Sequence, residues 1–196
     1  KTLGMLVASL VVGTVALVLM ETKPAAPLVQ VPLEALAQED AAAADLQLIR
    51  QTDDGIRIQY IRWRNIVIHD TGRDGPEVAG QCHFLIGRGE ILDDGQALPT
   101  SLWRRQMTGD HVHVPGFDYA SDSIGICLLG DLREDRPTRQ QMERLVGLVR
   151  ALQSTCAIPR DQVYVHGDLG QSGCPGGNFP AAAFRRRLIP PRQPSY

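Results

Sequence analysis

Apolar residues occur along this chain mainly in short runs that are typical of buried β-strands. The run Ile66-Val67-Ile68 is wholly apolar and is closed by His69, which places a polar side chain at the end of a predicted strand. Before it, the alternation of Ile56, Ile58 and Tyr60 with polar residues predicts a half-buried strand. Further short strands are predicted at His83 to Ile86, at Ile124 to Leu129 and at Val163 to Val165.

Helical spacing is clearest after Thr138, which forms a capping box with Gln141. Apolar residues then recur at helical intervals to about Ser154, at Met142, Leu145, Val149 and Leu152. A last short helix is predicted with Pro180 in its first turn and with arginines 185 to 187 near its end, where cations complement the helix dipole. Strands interspersed with helices predict an α/β domain, with a central mixed β-sheet flanked by helices, over residues 56–196.

Between two of the predicted strands, Gly87-Arg88-Gly89 and Asp93-Asp94-Gly95 have the composition of hairpin turns.

Residues 21–55 contain prolines among small residues and are interpreted as a spacer, within which Leu33 to Gln51 favours a peripheral helix by propensity.

The first twenty residues differ from the rest of the chain. Leu3 to Met20 carries no charged side chain and has the length of a short membrane span. We interpret residues 1–20 as an uncleaved membrane anchor, with a cleaved secretory signal as the alternative. Either interpretation predicts an exported protein of the periplasm or cell envelope, and we expect a membrane-anchored monomer.

Composition restricts the function only weakly. The 20 Lys and Arg residues nearly balance the 22 Asp and Glu residues, so no overall field favours nucleic acid, and we expect no nucleic-acid partner. Four cysteines, at positions 82, 127, 156 and 174, are scattered through predicted core elements. Because they do not form the framework of a small stapled domain, we predict no obligatory disulfide.

Two histidines and one cysteine are candidates for a metal centre. His166 and Cys174 stand eight positions apart around a glycine-containing loop, and His69 ends the apolar run upstream. Histidine and cysteine are preferred zinc ligands, and a catalytic zinc site has three protein ligands and one open position. A histidine that ends a strand is more often a hydrogen-bonded structural residue, so the spacing alone leaves both interpretations open.

Six segments, taken in order, resemble the type-2 family of zinc-dependent N-acetylmuramoyl-L-alanine amidases, whose fold is shared with the peptidoglycan recognition proteins. The resemblance extends from about Trp63 to Pro180. The segments are Ile66-Val67-Ile68-His69-Asp70-Thr71, His83-Phe84-Leu85-Ile86-Gly87, the stretch from Ser123 to Gly130, Pro137-Thr138 with Gln141, His166-Gly167-Asp168 and Cys174-Pro175-Gly176.

The resemblance implies that His69, His166 and Cys174 bind Zn²⁺. It also implies that peptidoglycan or a muropeptide is the substrate, cleaved at the amide between the lactyl group of N-acetylmuramic acid and L-alanine. A zinc ion would polarise the carbonyl and supply a water-derived nucleophile at neutral pH.

Three further positions correspond to catalytic or substrate-contacting positions of the family. His113 resembles the histidine of an H-x-x-G element at the rim of the groove, with His111 as the alternative. Ser172 stands where relatives commonly have lysine or threonine, and Cys82 stands where active relatives often have tyrosine. Cys127 replaces a glutamate that some relatives carry, and the stretch between His69 and His83 is shorter than is usual in the family.

Three polar residues lie beside the proposed ligands in the sequence. Asp168 is expected either to accept a hydrogen bond from a zinc-binding histidine or to cap its loop. Asp70 and Thr71 are expected to be structural, at the turn after the strand.

The replacements at Cys82 and Ser172 leave a second hypothesis open, a peptidoglycan-binding module with the same fold and no turnover. A third hypothesis, a structural zinc site, requires a fourth protein ligand, for which Cys82 is the candidate.

Overall fold

A computed structural model describes residues 33–72, 75–110, 112, 119–170 and 173–190. Residues Ala37–Tyr196 form one compact unit, which contains the elements discussed below except the first four residues of the N-terminal helix. The predicted anchor or signal at residues 1–20, and the spacer up to residue 32, lie outside the described residues. Among the described helices, none combines the length and the apolar composition that a membrane span needs.

The predicted central sheet is present and has five strands. They are β1 (Asn65–Asp70), β2 (Phe84–Ile86), β3 (Ala97–Pro99), β4 (Ser123–Leu128) and β5 (Val163–Val165). Their order across the sheet is β3-β2-β4-β1-β5. Pairing is parallel except between β2 and β3, which form the predicted hairpin, so the sheet is mixed.

Helices and single turns connect these strands. The α-helices are α1 (Leu33–Ile49), α2 (Pro76–Ala79), α3 (Ser101–Arg104), α4 (Arg139–Cys156) and α5 (Ala181–Arg186). Two 3₁₀ turns flank β5, at Arg160–Gln162 and His166–Leu169. The helices predicted after Thr138 and Pro180 are therefore α4 and α5.

The two faces of the sheet have different roles because side chains alternate along a strand. Even-numbered residues of β1 and β4 are fully buried in the main core, together with the apolar stripe of α4: Ile66, Ile68, Ile124, Ile126, Leu145, Val149 and Leu152. Odd-numbered residues point to the opposite face, where His69 lies beside Cys127 in the β1/β4 register. The chemistry-bearing histidine therefore stands on the face opposite the α4 core.

Helix α4 is fixed to the sheet through the capping box that the sequence predicts. Thr138 Oγ1 accepts from Gln141 N at 3.0 Å, and Gln141 Oε1 accepts from Thr138 N at 3.1 Å. Gln141 is also fully buried, and its Nε2 donates to Leu129 O at 2.9 Å and to Ile86 O at 3.3 Å. One side chain thus joins the helix start to the ends of β2 and β4.

We expect Gln141→Leu to lower the free energy of unfolding by about 3 kcal/mol, because it removes the side-chain donor to the buried carbonyl oxygen of Leu129 as well as the acceptor for Thr138 N. Thr138→Ala, which removes the cap and the hydrogen bond that Thr138 Oγ1 donates to Asp94 Oδ1, should cost about 1–2 kcal/mol. Denaturant unfolding of both variants measures the difference. Equal losses would contradict a role for Gln141 beyond capping.

The start of the compact domain differs from the prediction. Helix α1 was expected to be peripheral, yet Leu48 and Ile49 belong to the hydrophobic core, and Ile49 O accepts from the buried Trp103 Nε1 at 2.9 Å. The compact unit therefore begins at Ala37, well before Ile56.

The strand predicted from Ile56 to Tyr60 is not formed. Residues 56 to 59 have no regular secondary structure, Ile56 and Tyr60 are exposed, and Gln59 N donates to the side chain of Gln106 at 3.0 Å. The alternation therefore predicted neither the strand nor its burial, because this segment pairs with no strand of the sheet and the N–H of Gln59 bonds to a side chain.

The prediction that the cysteines form no disulfide is wrong for one pair. Cys82 and Cys127 are bonded, with their Cα atoms 6.1 Å apart, and both are fully buried. Parallel pairing of β2 with β4 brings these distant positions together, since Leu85 is the register partner of Cys127 and Cys82 lies just before β2. Cys156 and Cys174 are not disulfide-bonded.

Candidate metal centre

The carboxyl ends of β1, β4 and β5 lie at one edge of the sheet, because these three strands are parallel. His69 is the penultimate residue of β1 and is 2% exposed. His166 follows directly after β5 and starts a 3₁₀ turn. Their rings lie side by side with centroids 4.7 Å apart. Strand pairing thus brings together two histidines that are almost a hundred positions apart in the sequence.

Cys174 reaches the same edge from the loop that follows the 3₁₀ turn. Gly167 N donates to Cys174 O at 2.7 Å, which ties this loop to the residue after His166. Asp70 N lies 3.4 Å from the Cys174 sulfur, so the backbone at the end of β1 also holds the thiol. The cysteine is therefore positioned by both histidine-bearing strand ends.

The ligand atoms of His69, His166 and Cys174 all lie within 4.8 Å of one another. Cys174 Sγ is 3.8 Å from His69 Nδ1. In a tetrahedral zinc site with the usual bond lengths, a sulfur and a nitrogen ligand are separated by about 3.6 Å. Two imidazoles and one thiol at this spacing fit zinc, and no fourth histidine, cysteine or carboxylate joins the group among the residues that the structure describes.

Burial shifts the pKa of two of the three proposed ligands. Burial lowers the pKa of His166, so its imidazole is neutral at pH 7, the form that binds a metal. Burial also raises the pKa of the Cys174 thiol to about 12, and the nearby Asp70 carboxylate acts in the same direction. Without a metal the thiol is therefore protonated, and a cation that binds there must displace that proton.

Of the predicted catalytic residues, the structure describes only Cys82. Ser172, His113 and the alternative His111 lie outside the described residues. Cys82 is described, and its sulfur is buried in the disulfide. It is therefore neither a hydrogen-bond donor at the site nor the fourth metal ligand that a structural zinc site would require.

Asp168 caps its own turn. Its Oδ2 accepts from Val165 N at 3.0 Å and is also paired with Arg185. Of the two interpretations given for this residue, the contacts favour the cap. Arg185, which the sequence placed at a solvated helix end, thus holds the turn that begins with His166.

Two features of the centre were not predicted. The first is the Cys82–Cys127 disulfide, which lies next to His69 across the β1/β4 pairing. The sequence signal that could have found it is the placement of each cysteine in or beside a predicted strand. The carboxylate of Asp70, expected only at a turn, is buried and accepts from backbone N–H groups of two loops. No local sequence signal identifies those two donors.

Comparisons with known proteins agree with this geometry. The family described as N-acetylmuramoyl-L-alanine amidase matches residues 59–177, more than half of the chain. This chain therefore belongs to the N-acetylmuramoyl-L-alanine amidase family, and the residues proposed as metal ligands all lie within the matched range.

Solved structures support the assignment. The amidase LysC from Clostridium intestinale URNW is 25% identical with a TM-score of 0.51, and the alignment covers 67% of this chain and 89% of that one. A selenomethionine derivative of AmpD is 21% identical with a TM-score of 0.51, and the alignment covers 65% and 85% of the two chains. The second likeness concerns the fold alone. A search of curated protein sequences returned no significant match.

Proposed function

We propose that this amidase depends on zinc and cleaves the bond between the lactyl group of N-acetylmuramic acid and the L-alanine of the peptidoglycan stem peptide. The observation that carries the proposal is the convergence of His69, His166 and Cys174 at one sheet edge. Membership of the amidase family supports the substrate class.

Each of the three residues has a distinct part in holding the ion. His69 is the buried ligand and is held by strand β1. His166 and Cys174 are half-buried and lie toward solvent. Zinc bound by such a set polarises a carbonyl and lowers the pKa of a bound water to about 7. Because two of the ligands are partly exposed, a polymeric substrate can reach the metal from solvent. We propose that Ser172 and His113 contact that substrate.

A non-catalytic peptidoglycan-binding module of the same fold is the alternative. The observation that favours it is the disulfide, because it occupies Cys82, the position where the resemblance led us to expect a tyrosine in active relatives. A disulfide can neither transfer a proton nor donate a hydrogen bond. The retained set of three ligands favours turnover.

Incubation of the protein with purified peptidoglycan, with and without a chelator, separates the two functions. Mass spectrometry should detect stem peptides with a free L-alanine amino terminus in the metal-loaded sample and none in the chelated sample. Metal-loaded protein that binds the wall but releases no such peptide would support the binding module and contradict the amidase proposal.

We also propose that the domain acts outside the cytoplasm, anchored through residues 1–20. The disulfide supports this location, since disulfides persist in oxidising compartments. A reporter enzyme that requires disulfide formation, fused after residue 190, should be active in cells. An inactive fusion that accumulates in the cytoplasm would contradict export.

A further inference from the structure

Asp70 ends β1 immediately after the proposed ligand His69, and its carboxylate is buried. Because side chains alternate along a strand, Asp70 points to the face opposite His69. The residue is 6% exposed. A carboxylate is rarely buried to this extent unless other groups satisfy it, so its contacts indicate its role.

One oxygen of Asp70 connects three segments of the chain. Oδ2 accepts from Leu132 N at 2.9 Å and from Gly176 N at 3.4 Å, and both contacts are buried. Leu132 lies in the connection between β4 and α4, and Gly176 lies two residues after Cys174. The end of β1 is thus joined both to the cysteine loop and to the segment on which that loop rests.

At Gly176 the cysteine loop packs directly against the backbone of that segment. A Cβ atom added at Gly176 would lie 2.1 Å from the backbone nitrogen of Arg133. Asn178 N donates to Leu132 O at 3.1 Å, and Asn178 Nδ2 donates to Arg133 O at 3.0 Å. These contacts hold the cysteine loop against the segment that contains Leu132. The Asp70 carboxylate accepts a hydrogen bond from both the segment and the loop.

We infer that Asp70 is a positioning residue for the metal centre, whose carboxylate holds the loop that places the Cys174 sulfur beside His69. The inference rests on the proposed zinc site. Without the carboxylate, two buried N–H groups lose their acceptor, and the loop is left with the weaker contact between its Cys174 sulfur and the Asp70 backbone as a link to β1. Partners that orient metal ligands typically contribute about 10–100-fold to metal affinity.

Zinc affinity of Asp70 variants, measured by competition with a chromophoric chelator, tests the inference. Asp70→Ala should bind zinc about 10–100-fold more weakly than the unsubstituted protein. Asp70→Asn retains an oxygen that can accept both N–H groups, and its affinity should stay close to that of the unsubstituted protein. If the alanine variant does not fold, Asp70→Ser, whose hydroxyl is too short to reach both donors, is expected to show the same loss.

Asp45→Ala is the matched control. Asp45 is also a buried carboxylate, 3% exposed, but it pairs with Arg144 of α4 at 2.6 Å, in the layer of helices. This variant should lose stability and keep its zinc affinity, which separates general destabilisation from an effect on the metal centre.

The outcomes distinguish this inference from the proposed function. If the unsubstituted protein binds zinc and Asp70→Ala or Asp70→Ser binds it equally well, the role of Asp70 is overturned and the zinc site stands. An asparagine variant as weak as the alanine variant also overturns it. If the unsubstituted protein binds no zinc, the proposed metal centre itself fails, and the inference with it.

Discussion

Replacement of Cys174 with serine is expected to abolish both zinc retention and the release of stem peptides. Cys174 is one of three ligands within 4.8 Å of one another, and it contributes the only thiolate among them. A serine hydroxyl is not deprotonated at neutral pH and is a poor zinc ligand. We therefore expect a loss of affinity larger than the roughly 100-fold that follows loss of an outer partner.

Metal content after gel filtration and peptide release from purified peptidoglycan measure the two effects. Cys156→Ser is the matched control, because Cys156 is also a free thiol but lies in the α4 core. It should keep one zinc per chain and full release below its unfolding temperature. A Cys174→Ser variant with unchanged zinc content and release would remove the proposed site.

The second large effect is expected from the disulfide. Replacement of Cys82 and Cys127 together with alanine should lower the free energy of unfolding by about 4 kcal/mol, because the bond closes a loop across a sequence separation of 45. The cross-link reduces the conformational entropy of the unfolded chain, so its removal favours unfolding.

Guanidinium unfolding at equilibrium, with and without a reductant, checks this value. The unsubstituted protein should lose stability when reduced, whereas the double-alanine variant should be insensitive to the reductant. Identical midpoints for the oxidised protein and the double variant would show that the bond does not stabilise the fold.

The sequence predicted those parts of the fold whose signals are local. The apolar run before His69, the runs that became β4 and β5, and the Thr138 capping box each carry their information within a few residues. The short antiparallel β3 carries no comparable local signal, because it has only three residues and a loop separates it from its partner β2 in the sequence.

The metal ligands were predictable only with the ordered resemblance to a family, because strand pairing and not sequence spacing brings His69 and His166 together. The disulfide was missed for the same physical reason. Cys82 and Cys127 become neighbours through parallel pairing of β2 with β4, and isolated cysteine positions do not specify a register. The contacts of Asp70 involve backbone N–H groups of two loops, for which side-chain identity carries no signal.

Titration of chelator-treated protein with zinc, with stem-peptide release as the readout, tests the central claim most directly. The three-ligand centre predicts that activity is absent without metal, rises in proportion to added zinc and reaches a plateau at one zinc per chain. Release that is equally fast in metal-free protein, or that fails to appear at any zinc concentration, would contradict the account.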